Sequence, residues 1–375
     1  MGVQLNKVLL VFVFCIFIFS CSETEKKIDL RLASNKGKWL KPKYATGFVI
    51  FSSDDYTICY LLNKADTLAR YVLTKKNQSK NSISIPCNNA ISMSSIYSYM
   101  MYRLEESDRI SGVDNLDYIC NQNLREKLIK NQVVELAKSF TWDVEKIVKC
   151  NTKVIFTWGS SSTQSVSVPD VIREKFSIVY LNDHLETHPL GRAEWIKFLS
   201  CFFDKYALAD SLFSETEKKY LDLKSGNDET IKKPTVLTEI KLAEGWFLPG
   251  GKSSMAKLIE DAGGKYLWSD NAQSGSLCLN FEEVYRKAKD VDYWINLPLV
   301  TSKTDLLNQD QRYGFFAAYK NSNMFNNDSK LNEKGGNAFW EEGIVCPDKI
   351  LKDLQLIFSA KDLLSDSLYF YRRLK

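Results

Sequence analysis

The sequence predicts an α/β protein with two doubly wound, Rossmann-like lobes, a long backbone helix that joins them, and a small N-terminal β extension. The chain has 375 residues, more than one hydrophobic core usually spans, so two lobes are expected. Short apolar strands alternate with helices on both sides of the middle of the chain, a pattern typical of parallel sheets. Residues 188–226, which lie between the two patterns, are helical in character.

Residues 1–20 have the features of an export signal. An apolar run from Val8 to Phe19 follows a lysine and is shorter than the roughly 20 residues of a membrane span. The sequence Ile18-Phe19-Ser20-Cys21 resembles a bacterial lipobox. We therefore expect Cys21 to become the lipidated first residue of the mature chain; an ordinary signal peptide is the alternative. Residues 21–43 then form a polar tether.

Composition and charge limit the partners of the chain. The formal net charge is +4 and the sequence has no block of like charges, which argues against binding to nucleic acid. Seven of the nine cysteines lie beyond Cys21, and none has the Cys-x-x-Cys spacing of metal ribbons and redox motifs. We expect most of them to be small buried apolar residues, and the presence of one disulfide stays open.

The β extension and its linker are expected at residues 44–82, and the first lobe at residues 83–187. Three β-rich runs separated by short polar turns predict an antiparallel meander. In the lobe, short apolar strands alternate with helices. The runs of the meander are 44–51, 56–62 and 68–73; the strands of the lobe are 90–94, 109–113, 133–136, 154–158 and 177–181; its helices are 95–104, 144–150 and 168–175.

Residues 188–226 predict the helices that connect the lobes, which we call the spine. Pro189 suits a first helical turn, and Trp195, Leu199, Phe202 and Phe203 recur at the spacing of an apolar helical stripe. A second helix is expected from Lys205 to Lys224, ending at Ser225-Gly226. A stiff helix packed on both lobes predicts small lobe movements upon binding.

Residues 227–375 predict a second lobe with the same alternation. Two similar α/β lobes imply a ligand cleft at the carboxyl ends of the strands, where the loops of both lobes meet. The expected strands are 235–238 and 293–297, and the expected helices are 252–262, 281–288 and 348–358.

Four stretches carry a resemblance to a known family. They are Arg-Ile-Ser-Gly-Val at 109–113, the helix and strand at 144–158, His-Pro-Leu-Gly-Arg-Ala-Glu-Trp at 188–195, and 246–264 with its Gly-Gly ending. In this order they resemble substrate-binding lipoproteins of the iron-complex type, which are helical-backbone periplasmic binding proteins of ABC importers. The stretch 335–348 fits the branch with an N-terminal β extension. One departure, Cys-Asn-Thr-Lys at 150–153 in place of Lys-Pro-Asp, concerns a loop and not the fold.

The resemblance implies a solute-binding lipoprotein that captures a ferric siderophore, haem or a cobamide in the cleft and delivers it to an ABC permease and its ATPase. It places the protein in the cell envelope, on the periplasmic face of a membrane and held by its lipid anchor, as a monomer. It also implies docking on the permease through one exposed glutamate of each lobe. Glu145 and Glu260 match those positions, although a solvated surface charge is the alternative for each.

Seven residues are candidates for the ligand site because they lie at or just beyond predicted strands or near the spine. Aromatic rings offer a flat apolar surface to a tetrapyrrole or a catecholate. Arg192 and Lys252 would neutralise carboxylates of the ligand, although Arg192 could instead pair with Glu194 or Glu186. Core packing is the alternative for every aromatic candidate. The aromatic candidates are Tyr97, Tyr118, Trp158, Trp246 and Trp268.

Two other motifs suggest different chemistry on first inspection. The zincin spacing is absent from His184, Glu186 and His188, and Pro189 disfavours α geometry at His188. We therefore predict no metal site. We expect His188 to orient the loop before the spine. The Gly-rich stretch 245–254 lacks the spacing of a phosphate loop, although the following helix N-terminus could receive an anionic group.

A transport receptor needs no catalytic residues or cofactor, and we predict no enzyme activity. Two rival functions stay open. A secreted serine hydrolase would use Ser160, Ser161 or Ser162 with a histidine, but the sequence has only two histidines and no Gly-x-Ser-x-Gly motif. A surface adhesion or structural lipoprotein explains the anchor but not the paired lobes.

Overall fold

The computed structural model of the chain describes residues 37–64, 66–75, 82–136, 142–159, 168–226, 232–242, 245–359 and 368–375. The expected export signal, Cys21 and the serines at 160–162 lie outside these residues. Within them, no helix is both long enough and apolar enough to cross a lipid bilayer.

The β extension is a five-stranded sheet whose strands follow one another in chain order. Neighbouring strands are antiparallel except for the last two, which are parallel. Ile50, Cys59 and Tyr71 stand in register across the sheet and are buried. The three predicted runs form its middle, and one short strand is added at each end. The strands are β1 (Lys38–Leu40), β2 (Phe48–Ser52), β3 (Tyr56–Asn63), β4 (Asp66–Thr74) and β5 (Ser82–Ser84).

The first lobe surrounds a parallel sheet. Its strands are β6 (Ala90–Ser92), β7 (Ile110–Val113), β8 (Val134–Glu135), β9 (Val154–Thr157) and β10 (Ser177–Tyr180). Its helices are α1 (Ser95–Arg103), α2 (Gln122–Lys130), α3 (Val144–Lys149) and α4 (Asp170–Lys175). The strand order is β10-β9-β6-β7-β8 and every pair is parallel, so the carboxyl ends of the strands share one edge. Only α2 was not expected.

The spine consists of two helices, α5 (Pro189–Ser200) and α6 (Tyr206–Ser225), that pack against each other. Pro189 lies in the first turn, and His188 caps α5 by accepting a hydrogen bond from the Leu190 amide at 3.1 Å. Asp204 adopts a left-handed φ of 57° between the helices. The 20 residues of α6 span roughly 30 Å, the length expected of the backbone helix.

Two buried glutamates fix the chain ahead of β2 to the spine. Glu194 accepts hydrogen bonds from the amides of residues 43–45 at 2.8–3.0 Å. Glu186 accepts from the amides of residues 46 and 47 at 2.9–3.0 Å and from the Trp195 indole at 3.0 Å. Since hydrogen bonds to a carboxylate are about twice as strong as neutral ones, the β extension and the spine form one unit.

The second lobe also contains a parallel sheet, with one antiparallel strand at its edge. Its strands are β11 (Thr235–Thr238), β14 (Lys265–Tyr266), β16 (Tyr293–Ile295), β17 (Met324–Asn326) and β18 (Arg372–Arg373), in the order β14-β11-β16-β17-β18. A small antiparallel sheet contains β12 (Lys241–Leu242), β13 (Gly245–Pro249) and β15 (Ser276–Leu279). The helices are α7 (Ser254–Asp261), α8 (Phe281–Ala288), α9 (Lys303–Gln309), α10 (Ala317–Lys320), α11 (Glu342–Val345) and α12 (Pro347–Phe358).

The stretch 245–254 differs from the prediction of a Gly-rich loop. Its first five residues form β13, the central strand of the small sheet. Trp246 and Leu248 point inward and are buried, whereas Phe247 between them is exposed. This alternation is the period of a strand, but it is too short to identify one from sequence.

One hydrophobic core joins the β extension, the spine and the second lobe. The largest cluster of buried apolar side chains runs through all three and through most of the first lobe. Phe48 of β2, for example, packs edge-on against Trp195 of α5 with a centroid distance of 5.0 Å. Five of the seven described cysteines are buried, as expected for small apolar residues. The spine is therefore embedded in the core along its first helix.

Candidate ligand cleft between the lobes

The first turn of α5 lies beside strand ends of both lobes. On the first-lobe side, the Arg192 guanidinium donates a hydrogen bond to Asp183, three residues beyond β10, at 3.0 Å. On the second-lobe side, Arg192 lines a cavity together with Glu239, the residue directly after β11. The carboxyl edges of the two parallel sheets therefore meet here, where open α/β sheets bind their ligands.

The cavity contains about 490 Å³ of empty space, including its open mouth. Most of its wall is apolar and comes from α7, α11 and α12, with Arg192 and Glu239 as the charged groups that face it. Trp340 also lines it and is 48% exposed. An apolar concavity with a few polar groups is the usual form of a small-molecule site. Other lining residues are Met255, Leu258, Phe339, Ile344 and Ile350.

Several buried polar atoms at this edge have no hydrogen-bond partner among the described residues. They are Arg192 Nε, Asn182 Oδ1 and Asp114 Oδ1, the last two on residues that follow β10 and β7. Asp183, in contrast, accepts from Arg192 and lies 3.3 Å from the Tyr97 hydroxyl. A buried polar atom without a partner costs about 1–3 kcal/mol, so such atoms at one edge indicate a functional site.

On the second-lobe side, Glu239 has a raised carboxyl pKa and a left-handed backbone conformation. Burial raises the pKa of its carboxyl to about 8, and no described residue offers the carboxyl a compensating charge. Its backbone is also left-handed, with φ of 60°, as are Asn296 and Leu299 just beyond β16, with φ of 57° and 61°. Strained backbone of this kind clusters at ligand sites, where the surrounding structure maintains it.

Exposed aromatic side chains lie at the same edges. Tyr118, in the loop after β7, is 46% exposed, and Trp158, directly after β9, is 39% exposed. The Trp158 ring stands edge-on to His184 at a centroid distance of 6.3 Å. With Trp340 from the second lobe, these rings offer apolar surface from both lobes. Tyr118, Trp158 and Arg192 thus remain candidates for ligand contact.

Three aromatic candidates are instead core residues, which corrects the prediction for them. Trp246 is fully buried, stacks on Trp294 at 5.7 Å and donates its indole N–H to the Thr238 carbonyl at 3.1 Å. Tyr97 is 1% exposed, and its hydroxyl donates to the Leu181 carbonyl at 2.9 Å. Trp268 is 7% exposed and packs under Lys287. Position near a strand end did not reveal which way these side chains point.

Lys252 does not lie with Arg192. It lines a separate groove of about 1020 Å³ beside α7, together with Lys257 and Glu260. Glu260 is 62% exposed at its side chain and pairs with Lys257 at 2.9 Å. Glu145 is exposed in the first turn of α3. Both proposed docking glutamates are therefore on exposed helix surfaces, and Lys252 belongs to the surroundings of one of them.

The two histidines do not form a metal site. His188 Nδ1 is used in capping α5, and Glu186 is occupied by backbone amides. Burial lowers the pKa of both His184 and His188, which favours their neutral forms. Within the described ranges no group of three or more His, Cys, Asp or Glu side chains is arranged to hold a metal ion.

Sequence reasoning missed Glu239 and Trp340. Glu239 follows a strand that was predicted with correct bounds, so its position at the edge was a usable signal. Trp340 lies in the stretch 335–348 that carried part of the family resemblance, but it follows no strand. A short helical turn at Ala338–Trp340 places it on the cavity, which only the tertiary structure shows.

Comparisons with known proteins agree with this architecture. No family model matches the chain. An uncharacterized lipoprotein of Methanocaldococcus jannaschii is 24% identical over 321 residues, 83% of this chain and 74% of that protein. A periplasmic binding protein from Veillonella parvula superposes with a TM-score of 0.59 at 13% identity, covering 82% of this chain and 99% of the other. A periplasmic haem-binding protein from Pseudomonas aeruginosa gives 0.57 at 13% identity, covering 77% and 98%. At identities this low, the superpositions establish the fold alone. They confirm the resemblance seen in the sequence as a resemblance of fold: the chain has the two-lobed α/β fold of the periplasmic binding proteins.

Proposed function

We propose that the chain is the solute-binding lipoprotein of an ABC importer and that it holds an iron complex, haem or a cobamide in the interlobe cleft. The observation that carries the proposal is the facing pair of sheet edges, which combine exposed aromatic rings with buried polar atoms that lack partners.

The chemistry of the cleft favours a large ligand that is partly apolar and carries oxygen atoms. Tyr118, Trp158 and Trp340 provide faces for stacking. The free Nε–H of Arg192 is a donor for a carboxylate or a hydroxamate oxygen. At neutral pH Glu239 is mostly protonated, because burial raises its pKa to about 8, so it too can donate a hydrogen bond. Siderophores, haem and cobamides all combine extended apolar surface with such acceptors.

The ligand can be tested directly. The chain from Ser22 onward, purified without its lipid, should show an absorption spectrum or a mass from a co-purifying compound. In titrations with haemin, a ferric siderophore and cyanocobalamin, at least one should quench tryptophan fluorescence, and Trp340→Ala should reduce that quenching. If none of the three binds and generic esters are hydrolysed, the chain is a hydrolase and the proposal fails.

Docking on the permease would use Glu145 and Glu260. Each is exposed on a helix of a different lobe, and a carboxylate can form a bidentate, charge-assisted contact with an arginine of a membrane subunit. Glu260 already pairs with Lys257, which also binds the buried Asp261 at 2.9 Å. Lys257 would therefore stay bound to Asp261 when Glu260 turns to the permease.

The test of docking is a double charge reversal, Glu145→Arg with Glu260→Arg. Uptake into cells should be lost, whereas ligand affinity and melting temperature should remain close to those of the unmodified protein. The matched control reverses one exposed glutamate in each lobe elsewhere, Glu174→Arg with Glu333→Arg, and should transport normally. Normal uptake by the first variant would exclude these residues from docking.

Membrane attachment through Cys21 is part of the same proposal. Replacing Cys21 by serine should release the protein from the membrane fraction, because each buried CH₂ of an acyl chain contributes about 0.8 kcal/mol to anchoring. A variant that remains with the membrane would show that attachment does not depend on this residue.

A further inference from the structure

The two lobes are joined on one side of the cleft by two side chains of the second lobe that bind backbone groups of the first. The Glu341 carboxylate accepts hydrogen bonds from the amides of Cys120 and Asn121, each at 2.8 Å. The Asn332 amide nitrogen donates to the carbonyls of Asp117 and Ile119 at 2.7 and 3.2 Å. We call Glu341 and Asn332 the interlobe bridge.

Both members of the interlobe bridge are fixed in place by their surroundings. Glu341 is 1% exposed, so its bonds are not in competition with solvent. The side-chain oxygen of Asn332 accepts from the amides of Lys334 and Gly336, each at 2.9 Å, which orients its nitrogen across the lobe boundary. Gly336 lies so close to the first lobe that a Cβ there would stand 2.6 Å from the Asp117 carbonyl oxygen. The contact between the lobes is therefore tight.

The interlobe bridge holds the segment that carries Tyr118. Its four contacts fall on residues 117, 119, 120 and 121, on both sides of Tyr118 in the chain. The segment is anchored again where α2 begins, since the Asn121 side chain accepts from the Leu124 amide at 2.9 Å. On the other lobe, Trp340 directly precedes Glu341. The backbones of the two exposed aromatic residues are thus fixed relative to each other.

We propose that Glu341 and Asn332 are positioning residues of the ligand site. They fix the position of Tyr118 of the first lobe relative to Trp340 of the second, and they limit how far the two lobes can separate on this side of the cleft. The ligand they serve presents a broad flat face that one ring from each lobe can contact. This inference rests on the proposed function, because it assigns both rings to ligand binding.

The first test needs no ligand. Glu341→Gln removes one of the two acceptors, and Asn332→Asp keeps the oxygen that binds Lys334 and Gly336 but replaces the donor with an acceptor. Hydrogen exchange of the ligand-free protein at Cys120 and Asn121 should become at least about tenfold faster in the double variant, since one buried amide loses its acceptor oxygen and the bonds from Asn332 to the same segment are lost. Glu333→Gln, which removes an exposed charge from the same loop, is the control and should exchange like the unmodified protein. Equal exchange in all three proteins would overturn the proposal.

The second test measures positioning of the ligand. In stopped-flow experiments with haemin, cyanocobalamin and a ferric siderophore, the probe that binds the unmodified protein should dissociate about tenfold faster from the double variant, with Glu333→Gln unchanged. If exchange is faster but dissociation is the same, the contacts are structural and the positioning role is refuted. If no probe binds the unmodified protein, the proposed function fails together with this role, while the exchange result still reports whether the lobes are bridged.

Discussion

Glutamates withdrawn from solvent, fully or in part, occur both where the β extension meets the spine and at the edge of the cleft, but their surroundings are opposite. Glu194 and Glu186 are surrounded by backbone amides that they bind. Glu239 is partly buried and has no compensating charge among the described residues, and desolvation raises the pKa of its carboxyl to about 8. The same residue type is part of the fold in one region and available to a ligand in the other, and the difference lies in the partners.

The tryptophans show the same contrast. Trp246 has its indole N–H bonded and its ring stacked inside the second lobe, whereas Trp340 and Trp158 are exposed at the two edges of the cleft. Satisfied and buried groups should therefore affect stability when they are replaced, and exposed or unpartnered groups should affect binding.

The largest effect is expected from Trp246→Ala. Removing a fully buried indole leaves a cavity, and the free energy of unfolding should fall by about 3–5 kcal/mol. Phe247→Ala on the same strand is the control, since Phe247 is 47% exposed and its loss should change stability by about 0.5 kcal/mol or less. Urea denaturation measures both. Similar values for the two variants would show that Trp246 is not a core residue.

Glu194→Ala should have the next largest effect. It leaves the amides of residues 43–45 without their acceptor and removes one of the two carboxylates paired with Lys197, which keeps Asp210 at 2.9 Å, and we expect a loss of about 3 kcal/mol. Glu215→Ala, which breaks an exposed ion pair with Lys219 on α6, should cost about 0.5 kcal/mol or less. A stability like that of the unmodified protein would contradict the view that Glu194 secures the β extension.

Trp340→Ala and Trp158→Ala test the other side of the comparison. Each should weaken ligand binding by about 1–3 kcal/mol because a stacking surface is lost, while stability should change by about 0.5 kcal/mol or less. Fluorescence titration of the bound ligand and thermal melting separate the two effects. Reduced stability with unchanged affinity would place these residues among the structural ones.

The smallest effect is a dependence of stability on pH. Burial raises the pKa of Glu239 to about 8 and that of Glu341 to about 7, so between pH 4.5 and 8 the folded chain binds more protons at these sites than the unfolded chain. Stability should therefore fall as the pH rises. The lowered pKa values of His184 and His188 act in the opposite direction mainly below their ordinary value of 6.5, so from pH 6.5 to 8 they offset only part of the effect of the carboxyls.

Across that interval the loss should be on the order of 1–2 kcal/mol, given about 1.36 kcal/mol for each proton and pH unit. Calorimetry should show a lower melting temperature at pH 8 than at pH 6.5, with a smaller difference in Glu239→Gln. A melting temperature that rises over this interval would contradict the assignment of Glu239 as a partly buried, uncompensated acid.

Much of the fold could be predicted because hydrophobic periodicity and the signals that start and end helices and strands are local in the sequence. The strand at 235–238, the helix at 281–288 and the start of the spine at Pro189 all follow from residues within a few positions of each other. β13 was missed because five residues are too few to separate a strand from a loop next to two glycines. The side of a strand or helix that faces the core depends on distant partners, as with Tyr97, whose hydroxyl is bound by residues 84 and 86 positions away.

The candidate site was predicted less well for the same reason. Tyr118 and Trp158 are exposed beyond strands of the first sheet and Arg192 lines the cavity, positions that follow from the strand ends and the start of the spine. Glu341 and Asn332 have no local signal, since their partners are backbone groups more than 200 residues earlier in the chain. Long-range contacts of this kind become visible only in the folded molecule.

The most direct test of solute binding between the lobes is a crystal structure of the protein with the ligand that co-purifies with it. We predict that the ligand lies between Tyr118 and Trp158 of the first lobe and Trp340 of the second, with an oxygen atom about 3 Å from Arg192 Nε. A ligand bound in the groove of Lys252 and Lys257, or one that touches a single lobe, would contradict the account.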